Sequence, residues 1–280
     1  MTQLIETFLN TVHTNFLQKE WCDLNSTALN VDNYEDECQQ EYYLLKYFPA
    51  YLSEYYTMYS QLFEIYDKEN IKILSIGCGA GIDYYALDKI NDKPNIDYFG
   101  VDLVDWEYKP DFPFAQLNID QLNSDYFDNV NLIVFPKILT ELNDEQIIHL
   151  AAAIVNSDLP NEIYFLNSYI TNDSNDSSRI DGVSKFEIIC KELIKNNFSI
   201  DGENSCSQYT YFKVHAGIRK YISSFVYPNE IKDFLYSLKF NCTEFDESDN
   251  NCTQCNIGEY PMMNSKYIAY NVIKFVKNDN

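Results

Sequence analysis

The N-terminal quarter of the chain has a helical pattern of apolar residues. In residues 2–19, apolar side chains recur at intervals of three and four, which predicts an amphipathic helix. Residues 36–66 also predict a helix, which Pro49 would kink or break. Within this second segment a tyrosine recurs at every fourth position, a spacing that places the rings on one helical face: Tyr43, Tyr47, Tyr51, Tyr55 and Tyr59.

From residue 70 onward, short apolar runs alternate with polar segments. The first run leads into glycines at every second position, Gly77, Gly79 and Gly81, in a chain that has only 8 glycines. Glycine is needed where the backbone takes φ > 0 or passes close to a ligand. The stretch therefore predicts a strand, a tight turn and a helix whose free N–H groups suit a nucleotide. The nicotinamide fingerprint would need a glycine at Ile82, so a purely structural turn is the alternative.

The segments that follow continue the alternation of strands and helices. A second predicted strand in residues 95–106 contains Asp102, about 20 positions after the glycine turn, where an acid is placed to accept hydrogen bonds from ribose hydroxyls. Asp120 follows a third apolar stretch within residues 114–122. The remaining predicted elements are a fourth strand running into a loop at 129–142, a helix at 143–157, a fifth strand at 161–170, a helix at 183–196, added strands at 208–214 and 220–227, a helix at 229–240 and a closing strand at 266–276.

This ordered series resembles the class I S-adenosylmethionine-dependent methyltransferases. The resemblance covers residues 70–170 best, and its motifs are the glycine turn at 77–81, Asp102, and Asn118-Ile119-Asp120. It implies an α/β, Rossmann-like fold with a seven-stranded, mostly parallel sheet whose last strand is reversed. We expect residues 1–68 to form a helical N-terminal cap. We expect residues 69–280 to form the methyltransferase-like domain, with a C-terminal elaboration of inserted strands and a cysteine-containing loop at about 197–263.

The resemblance also implies the cofactor and its binding residues. The cofactor would be S-adenosylmethionine. The residues expected to bind it are Gly77, Cys78, Gly79, Gly81, Asp83, Asp102, Leu103, Asn118, Ile119, Asp120 and Pro136.

The acceptor side is predicted from the cap. N-terminal helices cap the substrate side in this superfamily, so the tyrosine stripe is expected to line the acceptor pocket; a stripe of half-buried packing residues is the alternative. Glu141, after the fourth strand, and His215 are the candidate general bases. The signature of amino-methylating enzymes, Asp or Asn-Pro-Pro-aromatic, is missing, because residues 135–138 are Phe-Pro-Lys-Ile. The tyrosines expected to contact the acceptor are Tyr43, Tyr47, Tyr51 and Tyr55.

Charge and hydropathy narrow the function classes. The formal net charge is −23, and no cluster of Lys or Arg occurs in the sequence. Nucleic-acid binders need a basic surface for phosphate, so we expect no direct nucleic-acid substrate for this chain alone. No run of 18 apolar residues occurs, which predicts no membrane association and a cytoplasmic location. Cysteines in that location would be reduced.

Cysteines near the C-terminus raise the question of a metal. Cys242, Cys252 and Cys255 lie within fourteen residues, and Cys206 or His215 could supply a fourth ligand for zinc or an iron–sulfur cluster. One C-x-x-C pair is a weaker signal than two. Ordinary reduced thiols are therefore the favoured interpretation, and a redox pair of Cys252 and Cys255 is a third one.

These expectations combine into one predicted activity with two alternatives. We expect a methyltransferase that acts on oxygen or nitrogen of a small-molecule acceptor. The first alternative is an enzyme that acts on protein or RNA within a complex. The second is a non-catalytic, cofactor-binding subunit that has kept the fold.

Overall fold

The computed structural model of the chain describes residues 2–19, 21, 24, 34–170, 181–202, 205–207, 210–211, 226–242, 245–253 and 268–278. The helices are α1 (Thr2–Phe16), α2 (Glu37–Ile65), α3 (Ile82–Asp88), α4 (Asp144–Val155), α5 (Asp181–Lys195), α6 (Asn229–Tyr236), α7 (Leu238–Asn241) and α8 (Asn250–Thr253). The strands are β1 (Asn70–Ile76), β2 (Asn95–Asp102), β3 (Phe114–Gln116), β4 (Leu132–Pro136), β5 (Glu162–Ile170), β6 (Phe198–Ile200), β7 (Thr210–Tyr211) and β8 (Ile268–Lys277). Short 3-10 turns lie at Ile119–Gln121, Ser124–Phe127 and Ile138–Thr140.

All of these strands join one mixed sheet. Its order is β3-β2-β1-β4-β5-β8-β6, and β7 also pairs with β8. Strands β1 to β5 run parallel, whereas β8 is antiparallel to both β5 and β6. The last strand of the chain is therefore inserted in reverse between β5 and β6, which confirms the predicted sheet with its reversed last strand.

Successive side chains of a buried strand point to opposite faces of the sheet, so both faces are apolar. Helices cover both of these faces. Ile73 packs in one hydrophobic cluster with residues of α1, α2 and α3. Its neighbour Leu74 packs in a second cluster with residues of α4 and α5. The apolar runs of the sequence thus form strands that are buried on both faces of the sheet.

The N-terminal helices share their core with the sheet. Phe8 of α1 stacks on Phe48 of α2 with ring centroids 4.0 Å apart. Tyr108, in the loop after β2, donates a hydrogen bond of 2.7 Å to Glu41 of α2. Helix α2 continues through Pro49, so of the two predicted effects, a kink or a break, the break does not occur. The division of the chain into a helical cap and a methyltransferase-like domain stays a prediction. One hydrophobic cluster contains residues from both of these segments.

The C-terminal part differs from expectation in detail. Strand β6 was not predicted, because a three-residue strand has too few positions for an alternating pattern. The predicted strand at 220–227 lies mostly outside the described residues, and the predicted helix at 229–240 is divided at Ser237. Among the described helices, none combines the length and the apolar composition needed to cross a bilayer.

Candidate active site

The glycine turn follows β1 and has the left-handed conformation that its sequence indicates. Gly77, Gly79 and Gly81 have φ of 72°, 53° and 65°. The N–H of Gly77 donates to the carbonyl of Val101 over 2.8 Å, which joins the turn to β2. A Cβ on Gly77 would lie 2.6 Å from Cβ of Ile138, so both the backbone conformation and the space require glycine.

Asp102, at the end of β2, ties the glycine turn to the loop that follows this strand. One carboxylate oxygen accepts from the N–H of Gly79 over 2.7 Å, and the other accepts from the N–H of Val104 over 2.9 Å. Burial raises the pKa of Asp102, and these backbone N–H donors oppose that rise. A carboxylate has about four lone-pair positions, so it can still accept hydrogen bonds from hydroxyl groups of a ligand.

A cavity of about 370 Å³ opens at the carboxyl ends of β1, β2 and β4. Open α/β sheets place their ligands at this edge. Many of the residues predicted to bind cofactor line this cavity: Gly77, Gly79, Asp102, Leu103, Asn118, Ile119 and Pro136. The predicted base Glu141 and three of the predicted acceptor tyrosines, Tyr43, Tyr47 and Tyr51, line it as well.

Other predicted site residues lie away from this cavity. Cys78 and Gly81 are buried in the turn, Asp120 is exposed beside Asn118, and Tyr55 is buried next to the cavity wall. His215 lies outside the described residues. Binding roles for these side chains stay predictions.

Asp83 is buried beneath the turn and does not line the cavity. Its carboxylate accepts hydrogen bonds from Ser75 at 2.9 Å, from Tyr98 at 3.0 Å and from Tyr59 at 3.3 Å. Burial raises the pKa of Asp83 to about 6, and the hydroxyl donors limit that rise. Through these contacts Asp83 links α3 to β1, β2 and α2. Tyr59, the last residue of the tyrosine stripe, therefore has a structural role.

One wall of the cavity is aromatic. We call Tyr34, Tyr43, Tyr47, Tyr51 and Trp106 the aromatic wall; all five line the cavity. Tyr34, Tyr43 and Trp106 are in mutual contact, with ring centroids 5.0 to 5.3 Å apart. Tyr47 stacks on Tyr51 at 5.3 Å. Tyr34 and Trp106 were not predicted, since they lie outside the periodic stripe.

A buried lysine on the cavity was also not predicted. Lys137 follows β4 with φ of 71° and is only 4% exposed. Its ammonium lies 2.6 Å from Glu54 of α2 and 2.6 Å from the hydroxyl of Ser168 on β5, and Ser168 donates to the other oxygen of Glu54 at 2.6 Å. The ammonium also lies 4.0 Å from the centroid of Tyr51. In the sequence, the signal for this buried ion pair was one charged residue directly after the apolar run of β4.

Glu141 lies just after the 3-10 turn that follows β4. Its side chain reaches solvent, but the surrounding protein limits its hydration and raises the pKa to about 7, with a smaller contribution from the negative charge of Asp102. A carboxylate with this pKa is divided between its two protonation states near neutral pH. It can therefore accept a proton there.

The structure tests part of the cysteine set that was considered for a metal. Cys206 is joined to Cys190 by a disulfide, so Cys206 is not available as a candidate metal ligand, and the favoured expectation of reduced cysteines is wrong for this pair. Sequence spacing alone gave no reason to join these two residues. In the described part of the chain, no three His, Cys, Asp or Glu side chains are grouped as metal ligands. Cys242 and Cys252 are half-buried, and Cys255 lies outside the described residues.

The cavity fits a nucleoside cofactor. Gly77 and Gly79 leave the backbone accessible, and Asp102 keeps lone pairs for hydroxyl groups. Trp106 is 4% exposed, and hydrogen bonding from its side chain lowers the pKa of Asp102, opposing the rise caused by burial. Leu103, 43% exposed, offers an apolar contact.

The sheet order, the reversed β8 and the glycine turn with its acid on β2 together decide the fold. The chain has the fold of the class I S-adenosylmethionine-dependent methyltransferases. In this methyltransferase fold, β4 and β5 follow β1 on the other side of the sheet from β2 and β3.

Comparisons with known proteins are weaker evidence for the fold than the strand order of this chain. No protein-family model and no curated protein matches the sequence. The plantazolicin methyltransferase BpumL in complex with SAH is 14% identical, covers 98% of this chain and 100% of its own, and has a TM-score of 0.41. A SAM-dependent methyltransferase from Archaeoglobus fulgidus is 13% identical, with coverage of 80% and 94% and a TM-score of 0.41. A methyltransferase from Clostridium acetobutylicum ATCC 824 is 16% identical, with coverage of 44% and 50% and a TM-score of 0.33. These TM-scores are below 0.5, so the fold assignment rests on the strand order of this chain.

Proposed function

We propose that this protein is an S-adenosylmethionine-dependent methyltransferase that acts on oxygen or nitrogen of a small-molecule acceptor. The observation that carries the proposal is one cavity lined both by the glycine turn with Asp102 and by tyrosines of α2. A cofactor at the turn and an acceptor at the aromatic wall would then share one cavity.

The cofactor side of the cavity has the groups that an adenosyl ligand needs. Asp102 would accept hydrogen bonds from the ribose hydroxyls. Gly77 and Gly79 would let the ligand approach the backbone, while Leu103 and Asn118 would lie beside the adenine. When bound, the cofactor supplies a methyl group activated by a sulfonium.

The acceptor side supports a small molecule. The whole cavity, which cofactor and acceptor would share, has about 370 Å³, at the lower end of the range of small-molecule sites, about 300–1,000 Å³. Helix α2 covers the sheet edge, so its residues would exclude water and orient the acceptor. Glu141 would take a proton from an acceptor that must lose one.

Calorimetry with S-adenosylhomocysteine tests the cofactor assignment. Replacing Asp102 with Ala should weaken binding by about 1.5–3 kcal/mol, the range for hydrogen bonds to charged groups. Asp97→Ala is the matched control, because Asp97 is an exposed acid on the same strand. Unchanged affinity in the Asp102 variant, or no binding to the parent protein, would contradict the proposal.

Methyl transfer from a labelled donor into a fractionated cell extract tests the acceptor class. We expect label in the small-molecule fraction. Label confined to protein or RNA would replace this acceptor class by the macromolecular alternative, and cofactor binding without any labelled product would support the non-catalytic one.

A further inference from the structure

The aromatic wall already holds ammonium groups of the protein itself. Lys137 lies 4.0 Å from the centroid of Tyr51, and Lys46 lies 5.2 Å from that of Tyr47. Both distances are within the range of cation–π attraction, about 6 Å. Two rings of the aromatic wall, Tyr51 and Tyr47, thus already contact a positive charge.

In the part of the chain that the structure describes, the other three rings of the wall hold no such group. Among the described residues, no lysine or arginine lies over Tyr34, Tyr43 or Trp106. These three rings contact one another on the cavity. They form an aromatic surface beside the proposed cofactor site.

The charges on the cavity favour a cation at this surface. Among the described residues, Asp102 and Glu141 are the acidic side chains that line it, and Lys137 is the basic one. Glu54 compensates the charge of Lys137 at 2.6 Å. S-adenosylmethionine carries a sulfonium, an ammonium and a carboxylate, hence one net positive charge, which offsets Asp102. The carboxylate of Glu141 is then left for the acceptor.

We propose that the acceptor is an aliphatic amine, which binds as an ammonium ion against Tyr34, Tyr43 and Trp106 and gives a proton to Glu141. This inference rests on the proposed function. The proton passes from nitrogen to the Glu141 carboxylate and leaves a neutral amine with its lone pair. That lone pair forms the N–C bond to the methyl group of the sulfonium donor while the C–S bond breaks and its electrons stay on sulfur. The product is the N-methylated ammonium ion, and Glu141 returns its proton to water.

The titration of Glu141 agrees with this role. Partial burial, together with the charge of Asp102, raises its pKa to about 7. Burial raises the pKa of Tyr34, Tyr43 and Tyr51, so these hydroxyls stay neutral near pH 7. In the described part of the chain, the titratable side chains on the cavity besides Glu141 are Tyr34, Tyr43, Tyr47, Tyr51, Asp102 and Lys137.

Binding of choline, measured by calorimetry with S-adenosylhomocysteine present, tests the proposal without turnover. Choline has a quaternary ammonium that cannot lose a proton, and 3,3-dimethylbutan-1-ol is its neutral isostere. We expect choline to bind about tenfold more tightly than the alcohol. Tyr43→Leu should remove most of this preference, whereas the matched variant Tyr43→Phe should keep it because the ring remains.

The pH dependence of choline binding tests Glu141 separately. Affinity should rise as the pH increases through about 7, because Glu141 becomes negative. In Glu141→Gln this rise should be absent. Equal binding of choline and its isostere, or binding of neither, in a protein that binds S-adenosylhomocysteine would overturn the amine acceptor and leave the proposed function standing. Failure to bind S-adenosylhomocysteine would overturn the proposed function itself.

Discussion

The Lys137 ammonium and the Glu54 carboxylate lie 2.6 Å apart in the interior, with side-chain exposures of 5% and 0%. This pair joins α2 to the end of β4, and Ser168 of β5 bonds to both partners. Burial lowers the pKa of Lys137 and raises that of Glu54, and their mutual attraction opposes both shifts. The pair therefore fixes the helix that carries the tyrosines relative to the sheet edge that carries the glycine turn.

Removal of one partner of this pair should cost more than removal of both. Lys137→Met leaves a buried carboxylate without its cation and should lower the free energy of unfolding by about 3–5 kcal/mol. The double variant Glu54→Gln, Lys137→Met should recover much of that loss. Urea unfolding measures both changes.

The exposed pair of Lys109 and Asp105 is the matched control. Lys109→Met should change the free energy of unfolding by less than about 1 kcal/mol, because solvent screens that pair. If the change in the free energy of unfolding in the double variant equalled the sum of the two single changes, Lys137 and Glu54 would not stabilise each other.

The glycine turn gives a second prediction from paired substitutions. Gly77 and Gly202 both have positive φ, 72° and 82°. A Cβ at Gly202 meets nothing within 4 Å, whereas at Gly77 it would lie 2.6 Å from Ile138. Gly202→Ala should therefore cost only the backbone term, about 1–2 kcal/mol. Gly77→Ala should cost more and should also weaken S-adenosylhomocysteine binding. Equal costs in thermal unfolding, with cofactor affinity unchanged, would show that the turn tolerates a side chain.

The disulfide between Cys190 and Cys206 gives a third prediction. It closes a loop with a sequence separation of 16, for which the entropy of the unfolded chain gives a stabilisation of about 3 kcal/mol. Adding reductant should lower the melting temperature of the parent protein. It should have no such effect on the variant Cys190→Ala, Cys206→Ala. Thiol titration in denaturant should find two fewer free thiols before reduction than after it.

Local sequence patterns predicted those residues of the candidate site that lie close together along the chain. The turn at Gly77 and the acid at Asp102 were recognised because strand, glycines and acid follow one another within about thirty residues. Lys137 and Glu54 are 83 positions apart, and only the packing of α2 across the sheet edge brings them together. Trp106 was missed because a single aromatic residue in a loop has no periodicity.

Asp83 was predicted from the glycine motif, but its side chain does not line the cavity. It lies two residues after Gly81, where the resemblance suggested cofactor contact. Ser75, Tyr98 and Tyr59 approach it from β1, β2 and α2, so its carboxylate is used inside the protein. Sequence spacing does not reveal which side of a turn a side chain occupies.

The buried carboxyl of Asp83 predicts a dependence of stability on pH. Burial raises its pKa from 3.8 to about 6 in the folded protein, so the folded state binds this proton more tightly than the unfolded state does. The resulting stabilisation is fully present below pH 3.8 and is lost as the pH rises through about 6. Its full size is about 3 kcal/mol, of which roughly half should disappear between pH 5 and pH 7.5.

The difference in unfolding free energy between the parent protein and Asp83→Asn isolates this effect from the other carboxylates. The parent should lose stability relative to the variant as the pH rises from 5 to 7.5, because the amide does not titrate. Asp88→Asn is the control on the same helix: Asp88 is exposed, and hydrogen bonding to Lys89 lowers its pKa, so its effect should be small and opposite in sign. A difference between parent and Asp83→Asn that stays constant over this range would mean that Ser75, Tyr98 and Tyr59 compensate the burial of the charge completely.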